Sequence, residues 1–331
     1  MHRLRKLPAL ALVALLLVAL LTPSALATPP LPADIGTPAY GYTAALAAGA
    51  RVAGSAEELA AAQQIEGWLD SMGYDAGFQP FTFGPTSKPV ASQNVIAGKP
   101  AAVRGNGQAV PLVIVGAHYD CVGTANGADD NASGVGVMLE LAQRLADTDL
   151  PYDLVFIAFG AEEAGLEGSD YYVKHMSKTD RERAIAMVNF DSLIAGDYRY
   201  IHAAFNHKTW VRDEMLEIVD AYDLGIRTHT SPRYPAGITP PGFSDYTAFS
   251  KAGIPVAAFE STNWEIGDLD GYLQLDAATE FAGTEYEDLW EIWHTEYDYL
   301  EFIDWLLGDR PEEHLKAYTT LVYVFLRDLE P

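Results

Sequence analysis

His118 and Asp120 stand just beyond an apolar run, Val110 to Gly116, and a glycine-bearing loop then delivers Asp129 and Asp130 to the start of a helical pattern. An imidazole and several carboxylates gathered where a strand gives way to a helix suit cation binding and proton transfer. Two more apolar runs end the same way: Tyr152 to Gly160 leads to Glu162 and Glu163, and Ala184 to Phe190 leads to Asp191. Imidazole and carboxylate without thiolate favour zinc, with manganese or cobalt ranked behind it, whereas an all-oxygen set would suit calcium or magnesium. His118, Asp130, Glu163, Asp191 and one further His would suffice for two ions sharing a carboxylate. Such a pair polarises a carbonyl and activates water, which is machinery for hydrolysis. Of the adjacent acids Glu162 and Glu163, one can ligate while the other takes a proton from water and passes it to a leaving amine. Asp120 is placed to orient the His118 ring, and Asp129 suits a helix start through the helix dipole.

These residues converge only if the apolar runs are neighbouring parallel strands, whose carboxyl ends share one edge of a sheet. The surrounding pattern supplies that scaffold. Ser55 and Glu58 open an Ala-rich amphipathic helix as a capping box, with Gly73 near its end. Gln79 to Phe83 and Gln93 to Ala97 have strand character. A helix is expected over Ser133 to Asp147, and others over Trp210 to Tyr222, Ser244 to Gly253 and Pro311 to Leu329. Ile254 to Phe259 forms a further buried strand. Residues 262 to 293, rich in acids, glycine and aromatics without periodicity, are expected to be a long loop. Strands alternating with helices predict a single doubly wound α/β domain, with a mostly parallel mixed central sheet flanked by helices.

At the N-terminus, Arg3, Arg5 and Lys6 precede an apolar stretch from Leu7 to Leu21, and Ala25-Leu26-Ala27 offers a cleavage site. The expectation is a signal peptide over 1–27, a Pro-rich arm over 28–49 and a catalytic domain over 50–331. Export follows, secreted, periplasmic or at the cell surface, with no stable membrane association after cleavage. The formal net charge of −25 disfavours nucleic acid and anionic lipid as partners. One cysteine, Cys121, leaves no disulfide framework.

The motifs themselves are specific. Gly116-Ala117-His118-Tyr119-Asp120, the Gly127 to Gly134 segment with Asp129-Asp130-Asn131, the Phe159 to Ser169 segment around Glu162-Glu163, and Asn189-Phe190-Asp191 resemble, in order, those of the exported di-zinc aminopeptidases of metallopeptidase family 28. Trp293-His294-Thr295-Glu296-Tyr297-Asp298 is similar to the late His motif of that family. The resemblance spans roughly residue 50 to the C-terminus. It implies His118 and Asp191 on one zinc, Glu163 and His294 on the other, Asp130 bridging, Glu162 as general base and Asp120 in support. It also implies substrates that are peptides or proteins with a free N-terminus, and a cis peptide after Asp120.

Residues 259–274 resemble bacterial members that trim an N-terminal arginine, so Glu265, Asp268 or Asp270 are expected to favour a basic first residue. Trp293 and Pro241 stand where some members carry a tyrosine that stabilises the oxyanion, and Tyr246 is a candidate replacement. A carboxypeptidase or dipeptidase of the same fold, a single-zinc glutaminyl cyclase and a non-catalytic ectodomain remain the competing readings.

Overall fold

A computed structural model describes residues 30–103 and 109–331; the expected signal peptide lies outside the described residues. Strands β1 (Gly77–Phe83), β2 (Val90–Lys99), β3 (Leu112–His118), β4 (Asp153–Phe159), β5 (Ala184–Phe190), β6 (Tyr198–Ala204), β7 (Ile226–Arg227), β8 (Ile238–Thr239) and β9 (Val256–Thr262) form one sheet. Its order is β1-β2-β4-β3-β5-β9-β6-β7, with β8 also paired to β6. The centre is parallel, β4 to β3 to β5 to β9, while β1, β2 and β6 join antiparallel. This is the mixed, mostly parallel sheet expected from the alternation of elements.

Period-two side-chain alternation makes both faces of that centre apolar. From β3, Val113, Val115 and Ala117 enter one core, and Leu112 and Ile114 enter the other. From β4, Phe156 and Ala158 point to the first side, and Ile157 and Phe159 to the second. Helices cover both sides. In the first core lie residues of α1 (Thr37–Leu46), α2 (Ala56–Ser71) and α3 (Gly134–Leu145). Next in the chain come α4 (Glu167–His175), α5 (Lys178–Arg183), α6 (Trp210–Tyr222) and α7 (Tyr246–Lys251). Val173 of α4 and Phe249 of α7 fill the second core. After α8 (Ala277–Glu280) and α9 (Leu300–Leu307), the closing helix α10 (Arg310–Asp328) returns to the first core. Among the described residues no helix is long and apolar enough to cross a membrane.

The segment expected as an arm contains α1, which lies against α3. The fully buried Glu140 of α3 accepts from Gly36 N at 2.9 Å and Ala39 N at 2.8 Å, satisfying open donors at the start of α1. Gly136 permits the approach, since a Cβ there would sit 2.3 Å from Thr43 Oγ1. Sequence periodicity did not reveal α1, because Pro and Gly dilute its apolar face and its partner cap lies a hundred residues away. Strand β6 was also missed: Arg199 and His202 interrupt its apolar run, and its pairing with β9 is what makes it a strand. Strand β3 runs through His118, so the imidazole is carried by the last residue of the strand and not by the loop beyond it.

The capping box over α2 differs in one bond. Ser55 Oγ accepts from Glu58 N at 3.0 Å as expected, but the Glu58 carboxylate takes Gly54 N and Ser92 Oγ, each at 2.6 Å. Burial pushes this carboxyl up to about 7, against the pull of those two hydrogen bonds. Its folded-state value thus lies above the ordinary 4.5, and the folded chain holds the proton more tightly. Stability from this group is therefore greatest at low pH and declines as pH rises from about 4.5 to about 7. Glu58→Gln should flatten that decline, seen as a urea midpoint that changes less than the parent's between the two pH values.

Candidate metal centre

Three parallel strand ends and one distant loop build the site. His118 closes β3, Glu162 and Glu163 follow β4, Asp191 follows β5, and His294 arrives from the segment before α9. His118 Nε2 lies 3.1 Å from Asp130 Oδ1 and 3.2 Å from Asp191 Oδ1. His294 Nε2 lies 3.1 Å from Asp130 Oδ2 and 3.3 Å from Glu163 Oε2. The two oxygens of Asp130 therefore face two different groups: His118, Asp130 and Asp191 form one triad, and Asp130, Glu163 and His294 form the other. Within each triad the ligand atoms lie within 4.8 Å of one another.

The donor set fits divalent metal. All five groups offer nitrogen or oxygen, no thiolate takes part, and Glu163 Oε1 is buried without a hydrogen-bond partner among the described residues. Left to themselves, these groups call for positive charge: hydrogen bonds to Asp130 and Glu163 raise the His294 imidazole to about 11. At His118 burial opposes the charged form, yet Asp191, Glu162, Asp120 and Asp130 hold the ring well above its ordinary value. Such strong fields in a cleft mark a functional site.

Asp120 is fully buried, and its two oxygens accept from Glu162 N at 3.0 Å and Glu163 N at 3.2 Å. The nearest partner of His118 Nδ1 is the Asp120 carbonyl, at 3.2 Å, with the carboxylate at 3.6 Å. Asp120 thus fixes the loop carrying both glutamates as well as the ring. Asp129 is a buried anchor that accepts from Ile194 N at 2.7 Å, Ala195 N at 3.0 Å and Gln274 Nε2 at 2.6 Å. The non-proline cis peptide is at Asp130-Asn131, which corrects the expectation of one after Asp120. Ala161, Ser192 and His294, each beside or among the site residues, have left-handed backbone with φ of 55°, 50° and 60°. Such strain costs on the order of 1–3 kcal/mol per residue and persists where surrounding structure enforces it.

Sequence reasoning quoted Asp298 without giving it a task. It is 2 % exposed and accepts from Asp129 N at 2.7 Å and Asp130 N at 3.2 Å, while its carbonyl accepts from Asn126 N at 3.2 Å. One side chain thus ties the His294 segment to the loop of the shared Asp130. Gln274 closes the same segment, its Oε1 accepting Ile292 N at 2.8 Å and Trp293 N at 2.9 Å. In the sequence, Asp298 stands at the end of the late His motif and Gln274 at the end of the 259–274 segment, but neither position reveals these partners.

The triads open onto a cavity of about 460 Å³ walled by Pro241, Phe243, Tyr246, Tyr272 and Trp293 and including Glu162 and Glu260. The Tyr246 hydroxyl is committed to Thr239 Oγ1, at 2.8 Å, and to the Pro240 carbonyl. Glu265 pairs with Arg227 at 3.0 Å, and Asp268 and Asp270 pair with Arg233 at 3.4 and 3.3 Å. None of these three acids lines the cavity, and each is partly neutralised by an arginine of its own chain, so the expectation that they read a basic residue is corrected.

Residues 94–318 match Peptidase family M28. The chain is 30 % identical to the alkaline phosphatase isozyme conversion protein of Escherichia coli, over 92 % of each chain. Among solved structures it is similar to a zinc aminopeptidase from Bacillus subtilis, with TM-score 0.70 and 20 % identity over 90 % of this chain and 97 % of that one. It is also similar to a glutaminyl cyclase from Porphyromonas gingivalis, with TM-score 0.62 and 20 % identity over 87 % and 97 %. At such identities the likeness to solved structures establishes the fold.

Because Asp298 holds the backbone under both triads, Asp298→Ala should weaken divalent-metal affinity about 10- to 100-fold. Competition with a chromophoric chelator measures the affinity, and an unchanged far-ultraviolet circular dichroism spectrum separates local loosening from unfolding.

Proposed function

The chain belongs to peptidase family M28 and is a metallopeptidase, and we propose that it is an exported, co-catalytic di-zinc aminopeptidase that favours a basic first residue. The observation that carries this reading is the shared carboxylate: Asp130 turns one oxygen to His118 and Asp191 and the other to His294 and Glu163. His118 and Asp191 would hold one ion, Glu163 and His294 the second, and Asp130 both. When bound, the ions polarise the scissile carbonyl and lower the pKa of water.

The remaining work falls to side chains. Glu162 lines the cavity beside His118 and Asp191, and its own backbone N–H is held by Asp120. Burial pushes its carboxyl well above the usual carboxylate range, and Asp191, Asp245 and Asp120 add to that against the pull of His118. Its carboxylate takes the proton of the attacking water on a side-chain oxygen and returns it to the leaving amine nitrogen. The free α-ammonium of the substrate meets the carboxylates around Asp191 and Glu162, which places the first peptide bond over the site. The apolar walls exclude bulk water and strengthen each of these charge contacts. Residues 1–27 fit an export leader and 50–331 the catalytic domain, whose first core takes in α1 of the 28–49 segment.

A single-zinc glutaminyl cyclase shares this fold, and a carboxypeptidase or dipeptidase would grip the other end of its substrate. Metal stoichiometry and end-blocked peptides separate these readings. Two equivalents of zinc by elemental analysis are expected, and chelation should abolish activity that zinc restores. Free peptides and amino-acyl amides should be cleaved and N-acetylated ones spared. Glu162→Gln should lower kcat by at least about 10³-fold while both zinc equivalents remain bound; near-normal turnover by this variant would refute the role given to Glu162.

A further inference from the structure

One acid in the cavity belongs to neither triad and is not the proton carrier. Glu260 lies near the end of β9, so the parallel centre brings it to the same sheet edge as His118, Glu163 and Asp191. Apart from the triads and Glu162, it is the one charged residue lining the cavity among the described residues. Its carboxylate is built in. Oε1 accepts from Trp264 Nε1 at 2.6 Å and from His202 Nε2 at 3.0 Å. The side chain is 19 % exposed, and Oε2 has no hydrogen-bond partner among the described residues.

The backing is rigid. His202 stacks on Tyr200 at 5.4 Å, and His229 stacks on Trp264 at 4.0 Å with 12° between the rings. The His202 and His229 rings meet edge to face at 4.8 Å. Burial lowers His229 to about 4, so this ring carries no charge at neutral pH. Among the described residues His202 Nδ1 is buried without a partner. His202 Nε2 and Trp264 Nε1 both hold Oε1, and Oε2 stays open. An aromatic-walled cavity ending in a fixed carboxylate with one open oxygen matches a long apolar stem tipped by a cation.

We infer that Glu260 is the residue that selects a cationic side chain on the first residue of the substrate, with His202 and Trp264 as positioning residues that leave its Oε2 free. The inference rests on the aminopeptidase reading and supplies the acid that the loop residues Glu265, Asp268 and Asp270 do not.

Steady-state kinetics on arginyl, lysyl, citrullyl and leucyl p-nitroanilides test it. Citrulline keeps the length and shape of arginine without the charge. The parent enzyme should prefer arginyl over citrullyl by about 10- to 100-fold in kcat/KM, the range for a hydrogen bond to a charged group. Glu260→Gln keeps an acceptor for His202 and Trp264 and should erase that ratio while changing leucyl turnover by less than about threefold. An equal loss on all four substrates would mean that Glu260 grips the α-ammonium or supports the fold, and would overturn the inference. So would a parent enzyme indifferent to the charge, which needs no variant to observe. If none of the four amides were cleaved, the aminopeptidase reading would fall. Calorimetric binding of L-argininamide against L-citrullinamide would then judge Glu260 alone, with equal affinities counting against it.

Discussion

Carboxylates crowded into a buried pit repel one another and lose their hydration, so the arrangement around Asp130 exists only where positive charge and donated N–H groups offset that penalty. Two imidazoles sit against Asp130, one on each oxygen. Backbone N–H groups supply much of the remainder: Asp120 takes those of Glu162 and Glu163, Asp298 those of Asp129 and Asp130, and Asp129 those of Ile194 and Ala195. Each supporting acid is thus satisfied by the backbone, while the triad acids keep oxygens for a cation. That division separates structural acids from binding acids more reliably than residue type does.

The same constraint explains the fold around the site. Parallel strands β3, β4 and β5 put His118, the Glu162-Glu163 loop and Asp191 at one edge, and their two apolar faces need helices on both sides. Arg51, 2 % exposed, finishes the support from below. Its guanidinium donates to the carbonyls of Leu46, Gly49, Tyr119, Asn126 and Gly127, so the loop between His118 and Asp130 is clamped to the start of the domain. A buried cation surrounded by carbonyl dipoles also places fixed positive charge beneath the acids.

Much of this was legible from sequence. Apolar runs that stop at an acid or a histidine marked the strand ends, and all five residues of the two triads, with Glu162 and Asp120 beside them, come together in space. What escaped were polar residues whose partners are fixed only by folding. Glu140 within a helix, Gln274 in the aperiodic loop, Asp298 at the end of the late His motif and Glu260 in a strand show nothing locally of the partners they hold, because most of those partners lie far away in sequence. Glu260 was the most accessible of these: an acid after the apolar run Val256 to Phe259 fits the strand-end rule that found the others. Conversely, the conspicuous loop acids Glu265, Asp268 and Asp270 proved to be partnered with arginines that no spacing rule would have matched to them.

Gln274 has a consequence for how this protein can change. Its side chain spans the gap between Asp129 and the backbone of Ile292 and Trp293, closing residues 275–291 into a lobe with a fixed neck. Geometry at His294 is set at that neck and by Asp298; within the lobe Leu275 and Ala277 are buried and Phe281, Tyr286 and Leu289 pack against the first core, so only its exposed tip, residues 282–285, can change length without disturbing packing. An exposed loop tip between fixed ends accepts insertions at little entropic cost. New recognition elements for large substrates can therefore be added at that tip while the packed parts of the lobe and the sheet keep the centre in place.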